Sequence, residues 1–214
     1  MKKRFFVTAT NTDIGKTYTT KLLLAEFASR GMRVGVIKPM ETGVDVMPLD
    51  GSELLKTVQL LNPEFLSVGV EDIVPITYKL PAAPFVSSNN TPLDLQKIDK
   101  AITKLEKLCD VLIIEGAGGL YVPIDENYMM IDLITHFKAS ALLVTHCALG
   151  CINDTLLSVN ALKERNIPHV IAFNCRENNE SFSTVSAPYF LKTNQKVLKV
   201  DENIDTLCDV LYNL

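Results

Sequence analysis

VTATNTDIGKTYTT, residues 7–20, joins the end of an apolar run to the start of an amphipathic one. RFFVTA (4–9) reads as a buried strand. KTYTTKLLLAEFASRG (16–31) reads as a helix with Leu22, Leu23, Ala25, Phe27 and Ala28 as candidate core positions and Gly31 as its stop. A GKT tripeptide that leaves a strand and opens a helix stands in the context of a phosphate-binding loop. Backbone N–H groups of residues 12–17 (Thr12, Asp13, Ile14, Gly15, Lys16, Thr17) would face a triphosphate, helped by the positive end of the helix, with Tyr18 just behind. Lys16 would bridge the β- and γ-phosphates, and the Thr17 hydroxyl would sit on Mg²⁺. The usual glycine five residues before Gly15 is Thr10 here.

The same alternation continues along the chain. RVGVIKP (33–39) is a second strand, 40–50 a loop and 51–61 a helix. Region 63–90 holds four prolines and no clean period; it reads as mostly loop with one short strand near 73–77. Thr91 as cap and Pro92 as first residue open a helix whose apolar face is Leu93, Ile98, Ile102, Leu105 and Leu108. Then come strand VLIIEGAGG (111–119), helix MIDLITHF, strand ALLVTH (141–146), helix INDTLLSVNALKERN and strand HVIAFNC (169–175). Residues 178–195 are helical in part and interrupted by Pro188; KVLKV (196–200) reads as a last strand and 203–213 as a closing helix. Strands separated by helices predict an α/β fold: one doubly wound, mostly parallel sheet with helices on both faces, residues 1–214 as a single phosphate-loop domain. Ligands of such sheets lie beyond the carboxyl ends of the strands, where the glycine-rich segments fall.

Glu115 ends the apolar strand VLIIE, and a carboxylate there needs a partner; Mg²⁺ is the partner this context suggests. Gly116, Gly118 and Gly119 would let backbone approach phosphate or substrate, with Ala117 between them beside the nucleotide. The 214 residues carry 21 Lys and Arg against 25 Asp and Glu, a net charge of −4, which argues against a nucleic-acid partner. No apolar run reaches the ~20 residues of a membrane span, and no export signal is read at the start. Five scattered cysteines suit a reducing cytoplasm better than a disulfide framework, and Cys147, Cys151 and His146 lack the second ligand pair of a zinc site.

Four segments, FFVTATNTDIGKT (5–17), VGVIKPMETG (34–43), LIIEGAGGLYVPI (112–124) and LGCINDTLLS (149–158), together resemble the dethiobiotin synthetase family over about three quarters of the chain. The resemblance implies a cyclo-ligase of biotin biosynthesis. With ATP and Mg²⁺, the family joins CO₂ to 7,8-diaminopelargonate through a carbamate and a carbamic–phosphoric anhydride, and closes the ureido ring. It implies Lys38 and Lys16 as catalytic cations, Thr42 on the diamine, and Asn174 with Cys175 at the nucleotide base. It also implies that Gly150, Cys151, Ile152 and Asn153 hold the substrate carboxylate across a homodimer interface; a helix start supplies the N–H groups for that. Besides Thr17 and Glu115, a third metal ligand should follow the KPxxTG loop, and both Asp50 and Glu53 qualify. Four other positions depart from the family pattern: Ala9 replaces a glycine, Asn11 an aspartate, and Phe85 and Asp154 each a histidine. The G-x-I-P loop that closes over the base is absent, which leaves base preference open. Two rivals share the fold, a partitioning or positioning ATPase and an amidotransferase-type synthetase acting on cobalamin precursors. Neither the signature lysine of the first, whose place Asn11 takes, nor the glutaminase domain of the second is present.

Overall fold

The computed structural model describes residues 2–89, 91–176 and 179–214; Asn90 and Asn178, at the edges of two segments discussed above, lie outside the described residues. Strand β1 (Lys3–Ala9) is followed by helix α1 (Lys16–Ser29), β2 (Val34–Ile37), β3 (Met40–Thr42) and α2 (Leu49–Leu61). The proline-rich region folds as short pieces: a 3₁₀ turn (Pro63–Ser67), α3 (Val70–Ile73), β4 (Ile76–Tyr78) and α4 (Pro84–Ser87). Then come α5 (Leu95–Leu105), β5 (Val111–Gly119), α6 (Met130–His136), β6 (Ser140–His146), α7 (Cys151–Glu164), β7 (His169–Asn174), α8 (Asn179–Val185), α9 (Ala187–Lys192) and α10 (Ile204–Tyr212).

Five strands form one parallel sheet in the order β2-β5-β1-β6-β7. β1 sits at its centre, so its loop opens at the middle of the carboxyl edge. Its Phe5, Phe6, Val7 and Ala9 are buried between layers, as expected of a strand covered on both faces. Helix α1 buries Leu23, Leu24 and Phe27 rather than Ala25, which is exposed; the Phe27 ring stacks on Phe5 at 5.4 Å. β3 and β4 make a separate two-stranded parallel sheet beside the main one.

Several expected elements shift. α5 begins at Leu95, not at Pro92, because the Asp94 carboxylate accepts the Lys97 N–H at 2.9 Å and caps the helix there. Residues 196–200 are not a strand. Lys199 alone bridges Phe173, with Phe173 N–H on the Leu198 carbonyl and Val200 N–H on that of Phe173. Pro188 stands at the start of α9 and separates it from α8, as its missing N–H predicts. Cys147 and Cys175, one residue past the last paired residues of β6 and β7, are joined as a disulfide, which the scattered spacing did not suggest.

Candidate active site

The phosphate loop leaves β1 at Ala9, and the Thr10 N–H is anchored on the Val144 carbonyl of β6 at 3.0 Å. Asp13 and Gly15 both take positive φ (58° and 94°). Gly15 is favoured on a second count: a Cβ there would lie 2.2 Å from Asn174 Nδ2 and push that amide away. That Nδ2 donates to the Ile14 carbonyl at 2.8 Å, so the end of β7 reaches over β6 to hold the loop. Across the loop, β5 bulges against β1. Val7 pairs with Glu115 but Ala9 pairs with Gly119, so residues 116–118 swing out toward the loop. Gly118 takes φ 65° there.

A cavity of about 640 Å³ opens at this edge. Its lining includes residues 12, 13 and 15–18, Lys38, Glu41, Thr42, Asp50, Pro81–Pro84, Ala117 and Gly118. Lys38 is buried between two carboxylates, with Nζ 3.0 Å from Glu115 Oε1 and a short contact to Asp50 Oδ2. Burial alone would pull its ammonium down, but Glu115 and Asp50 outweigh that and hold it above its ordinary value. Lys16 is also buried, with Nζ 3.4 Å from the Asn11 carbonyl. Burial lowers its pKa, Glu115 opposes this, and Lys38 adds to it. Two buried ammoniums thus stand close enough to feel one another, an arrangement that an anionic ligand relieves.

Glu115 is fully buried; its Oε1 accepts from Thr17 Oγ1 at 2.8 Å and from Lys38, while Oε2 has no hydrogen-bond partner among the described residues. An orphaned carboxylate oxygen beside a hydroxyl and the Asp50 carboxylate is a set of hard oxygen donors, which fits Mg²⁺. Glu53 is not part of it. Its carboxylate points outward and pairs with Lys21 at 2.9 Å, one helical turn past Asp50. Glu41, which the sequence reading passed over inside KPMETG, accepts the Asp50 and Gly51 N–H groups at 3.1 and 2.9 Å. It thereby caps α2 and aims Asp50 at Lys38; an acidic residue ahead of a helix start was the available signal.

Gly150–Asn153 do not line this cavity. Gly150 is the N-cap of α7 with φ 100°, Cys151 is buried, and Asn153 is not a cap but donates to Asp154 Oδ1 at 3.1 Å. The Cys175 side chain is tied to Cys147, so only its backbone can face a nucleotide. Arg176 lies over the Tyr18 ring at 4.3 Å, and the Tyr18 hydroxyl donates to Asp201. His146 meets Asp154 at 3.0 Å and His136 meets Asp99 at 2.9 Å, both outside the cavity.

Parallel sheet, phosphate loop and buried lysine–carboxylate floor define a phosphate-loop nucleotide-binding α/β protein; residues 3–210 match the AAA domain family. A plasmid partition protein from Borrelia burgdorferi has the same fold, with TM-score 0.56 at 10% identity over 99% of this chain and 96% of that one. The ATP-dependent dethiobiotin synthetase of a Sulfurovum species is 46% identical over 86% of this chain and 88% of its own. That of Wolinella succinogenes is 35% identical over 99% of both. The chain belongs to the ATP-dependent dethiobiotin synthetase family. With the Wolinella protein the alignment runs nearly end to end, so the short C-terminal part is common to both.

Proposed function

We propose that this chain joins CO₂ to 7,8-diaminopelargonate and closes the ureido ring of dethiobiotin in biotin biosynthesis, with ATP as co-substrate and Mg²⁺ as cofactor. The observation that carries it is Lys38, buried at the cavity floor between Glu115 and Asp50 and facing the phosphate loop. A carbamate that attacks a triphosphate is an anion approaching an anion, and the attack needs fixed positive charge in a site that excludes water. Lys16 and Lys38 supply it. Residues Thr12–Thr17 present their N–H groups to the phosphates, with Tyr18 and residues 116–118 closing the far side. Thr17, Asp50 and Glu115 would hold Mg²⁺, which supplies charge neutralisation on the phosphate oxygens.

Lys38 first holds the carbamate formed from one amine and CO₂. The carbamate oxygen takes the γ-phosphoryl group, Lys16 following the charge onto the leaving diphosphate. The second amine then attacks the carbonyl of the mixed anhydride, the ring closes and phosphate leaves. Thr42, half-buried on the cavity wall, positions the diamine. The start of α7, Gly150–Asn153, lies outside this chain's own cavity and would complete a partner's site by binding the substrate carboxylate, so the active unit is a homodimer. Asn174 and the Cys175 backbone face the base. In this reading residues 1–214 act as one domain, and the enzyme works in the cytoplasm.

The test is a coupled assay of ATP hydrolysis with and without the diamine and bicarbonate. Turnover should require both, with one phosphate released per ring closed. ATP hydrolysis indifferent to the diamine would instead favour a nucleotide-driven switch.

A further inference from the structure

We propose that Cys147 and Cys175 form a thiol–disulfide exchange site whose redox state sets how tightly the phosphate loop holds its nucleotide. The proposal rests on the phosphate-loop reading above.

The sulfurs join the carboxyl ends of two adjacent parallel strands, with Cα atoms 5.0 Å apart. His146 pairs with Asn174 in the last rung of the β6–β7 ladder, so the bond closes the next position and fixes the end of β7 against β6. On the other side of β6 lies β1, whose loop is held by the Asn174 Nδ2 bond to Ile14. That contact spans a whole strand and depends on where the end of β7 stands. It is tightly fitted, since the space beside Gly15 is filled by Asn174 Nδ2. Asn174 immediately precedes Cys175. A covalent bond one residue away therefore limits the freedom of the side chain that shapes the loop.

Disulfides in reducing compartments are mostly transient or redox-sensing rather than structural. The reductant here is a dithiol. Both cysteine residues are buried, Cys175 at 6% and Cys147 at 2%, so the exchange runs through a local opening of the strand ends, in which one thiolate of the reductant attacks Cys175 Sγ. The Cys147–Cys175 bond breaks, and Cys147 leaves as a thiolate and takes a proton. The second thiol of the reductant attacks the mixed disulfide and releases Cys175, which is protonated in turn. Two electrons and two protons enter the pair, and the reductant becomes a disulfide. With the clasp open, the Asn174–Ile14 contact is no longer enforced, and ATP binding weakens by about fivefold, the size of one hydrogen bond.

The experiment equilibrates the full chain in reduced or oxidised dithiothreitol, counts alkylatable thiols in denaturant, and measures the ATP Kd by calorimetry. Three thiols are expected in the oxidised state, Cys109, Cys151 and Cys208, and all five cysteines in the reduced one. The Kd should rise about fivefold on reduction, again the loss of one hydrogen bond. Cys147→Ser should show the reduced-state Kd under both conditions. Five thiols after oxidation, or an equal Kd in the two states of the natural chain, overturns the proposal alone. No ATP binding in either state overturns the phosphate-loop reading and this proposal with it.

Discussion

Gly15→Ala tests the packing of the loop most directly, because the glycine is required for two separable reasons. Its φ of 94° lies in the left-handed region, where an L side chain costs about 1–2 kcal/mol. Its absent Cβ would also lie 2.2 Å from Asn174 Nδ2, so the amide must withdraw and give up its bond to the Ile14 carbonyl, about 1 kcal/mol more. The total is about 2–3 kcal/mol, or roughly 5–10 °C in Tm for a chain of this size. Asn174→Ala alone should cost only the bond, about 1 kcal/mol. The double variant should cost no more than Gly15→Ala, since its amide has already been lost. The two changes are then non-additive by about 1 kcal/mol. Thermal unfolding of the four proteins reads this cycle, and ATP calorimetry checks that the loop is what has changed. Strict additivity, or a Gly15→Ala protein within about 1 °C of its parent, would refute the claim that Asn174 and Gly15 share one space.

The remaining predictions concern charge and base. Lys16→Ala should abolish ATP binding in a folded chain. Lys38→Ala should keep binding but lose about 10²–10³ in turnover; a single-turnover assay with labelled ATP separates the two, and normal ring closure in either variant would defeat its role. No G-x-I-P loop covers the base, so at least one of GTP, CTP or UTP should support product formation within about 10³-fold of ATP in kcat/KM. A hydrogen bond from His146 holds the Asp154 carboxyl below its ordinary value. The stability from that pair is therefore full above the ordinary carboxylate pKa and is lost as pH falls through the folded one. His146→Ala should move the Asp154 titration, followed by carboxyl NMR shifts, back up; an unmoved titration would show that the pair is not formed in solution.

How far the sequence could be read depends on whether the information was local. β1, β5 and β6 are apolar runs between turn signals, and GKT at a helix start needs nothing distant to be understood. Strand order is another matter. That β5 and β6 flank β1 follows from helices packing between layers, which no window of residues contains. The 63–90 region was opaque because its helices span four residues each, too short to show a period. KVLKV alternates like a strand, yet among the described residues it pairs through a single bridge, Lys199 to Phe173, and pairing of that kind depends on distant partners that a local alternation does not reveal. Asp50 and Glu53 were inseparable on paper. They lie three residues apart on one helix, and only the Glu41 cap and the pull of Lys21 decide which one faces the site. The cysteine pair was invisible for the same reason: 28 residues separate partners that the sheet sets side by side.

Part of the cavity lining is Pro81-Ala82-Ala83-Pro84. Proline and alanine have no side-chain rotamers to surrender when a ligand lies against them, and the two prolines fix their own φ. The Ser87 hydroxyl beneath them, 2.9 Å from the Leu80 carbonyl and 3.0 Å from that of Ala82, pins the turn further. A ligand lying against this wall would order little protein, and the entropy lost on binding would fall on the ligand's own rotatable bonds. Compounds in which those bonds are locked in their bound shape shed the loss before they arrive, so stiffening the ligand, more than adding polar contacts along the wall, is the route by which affinity for this face grows.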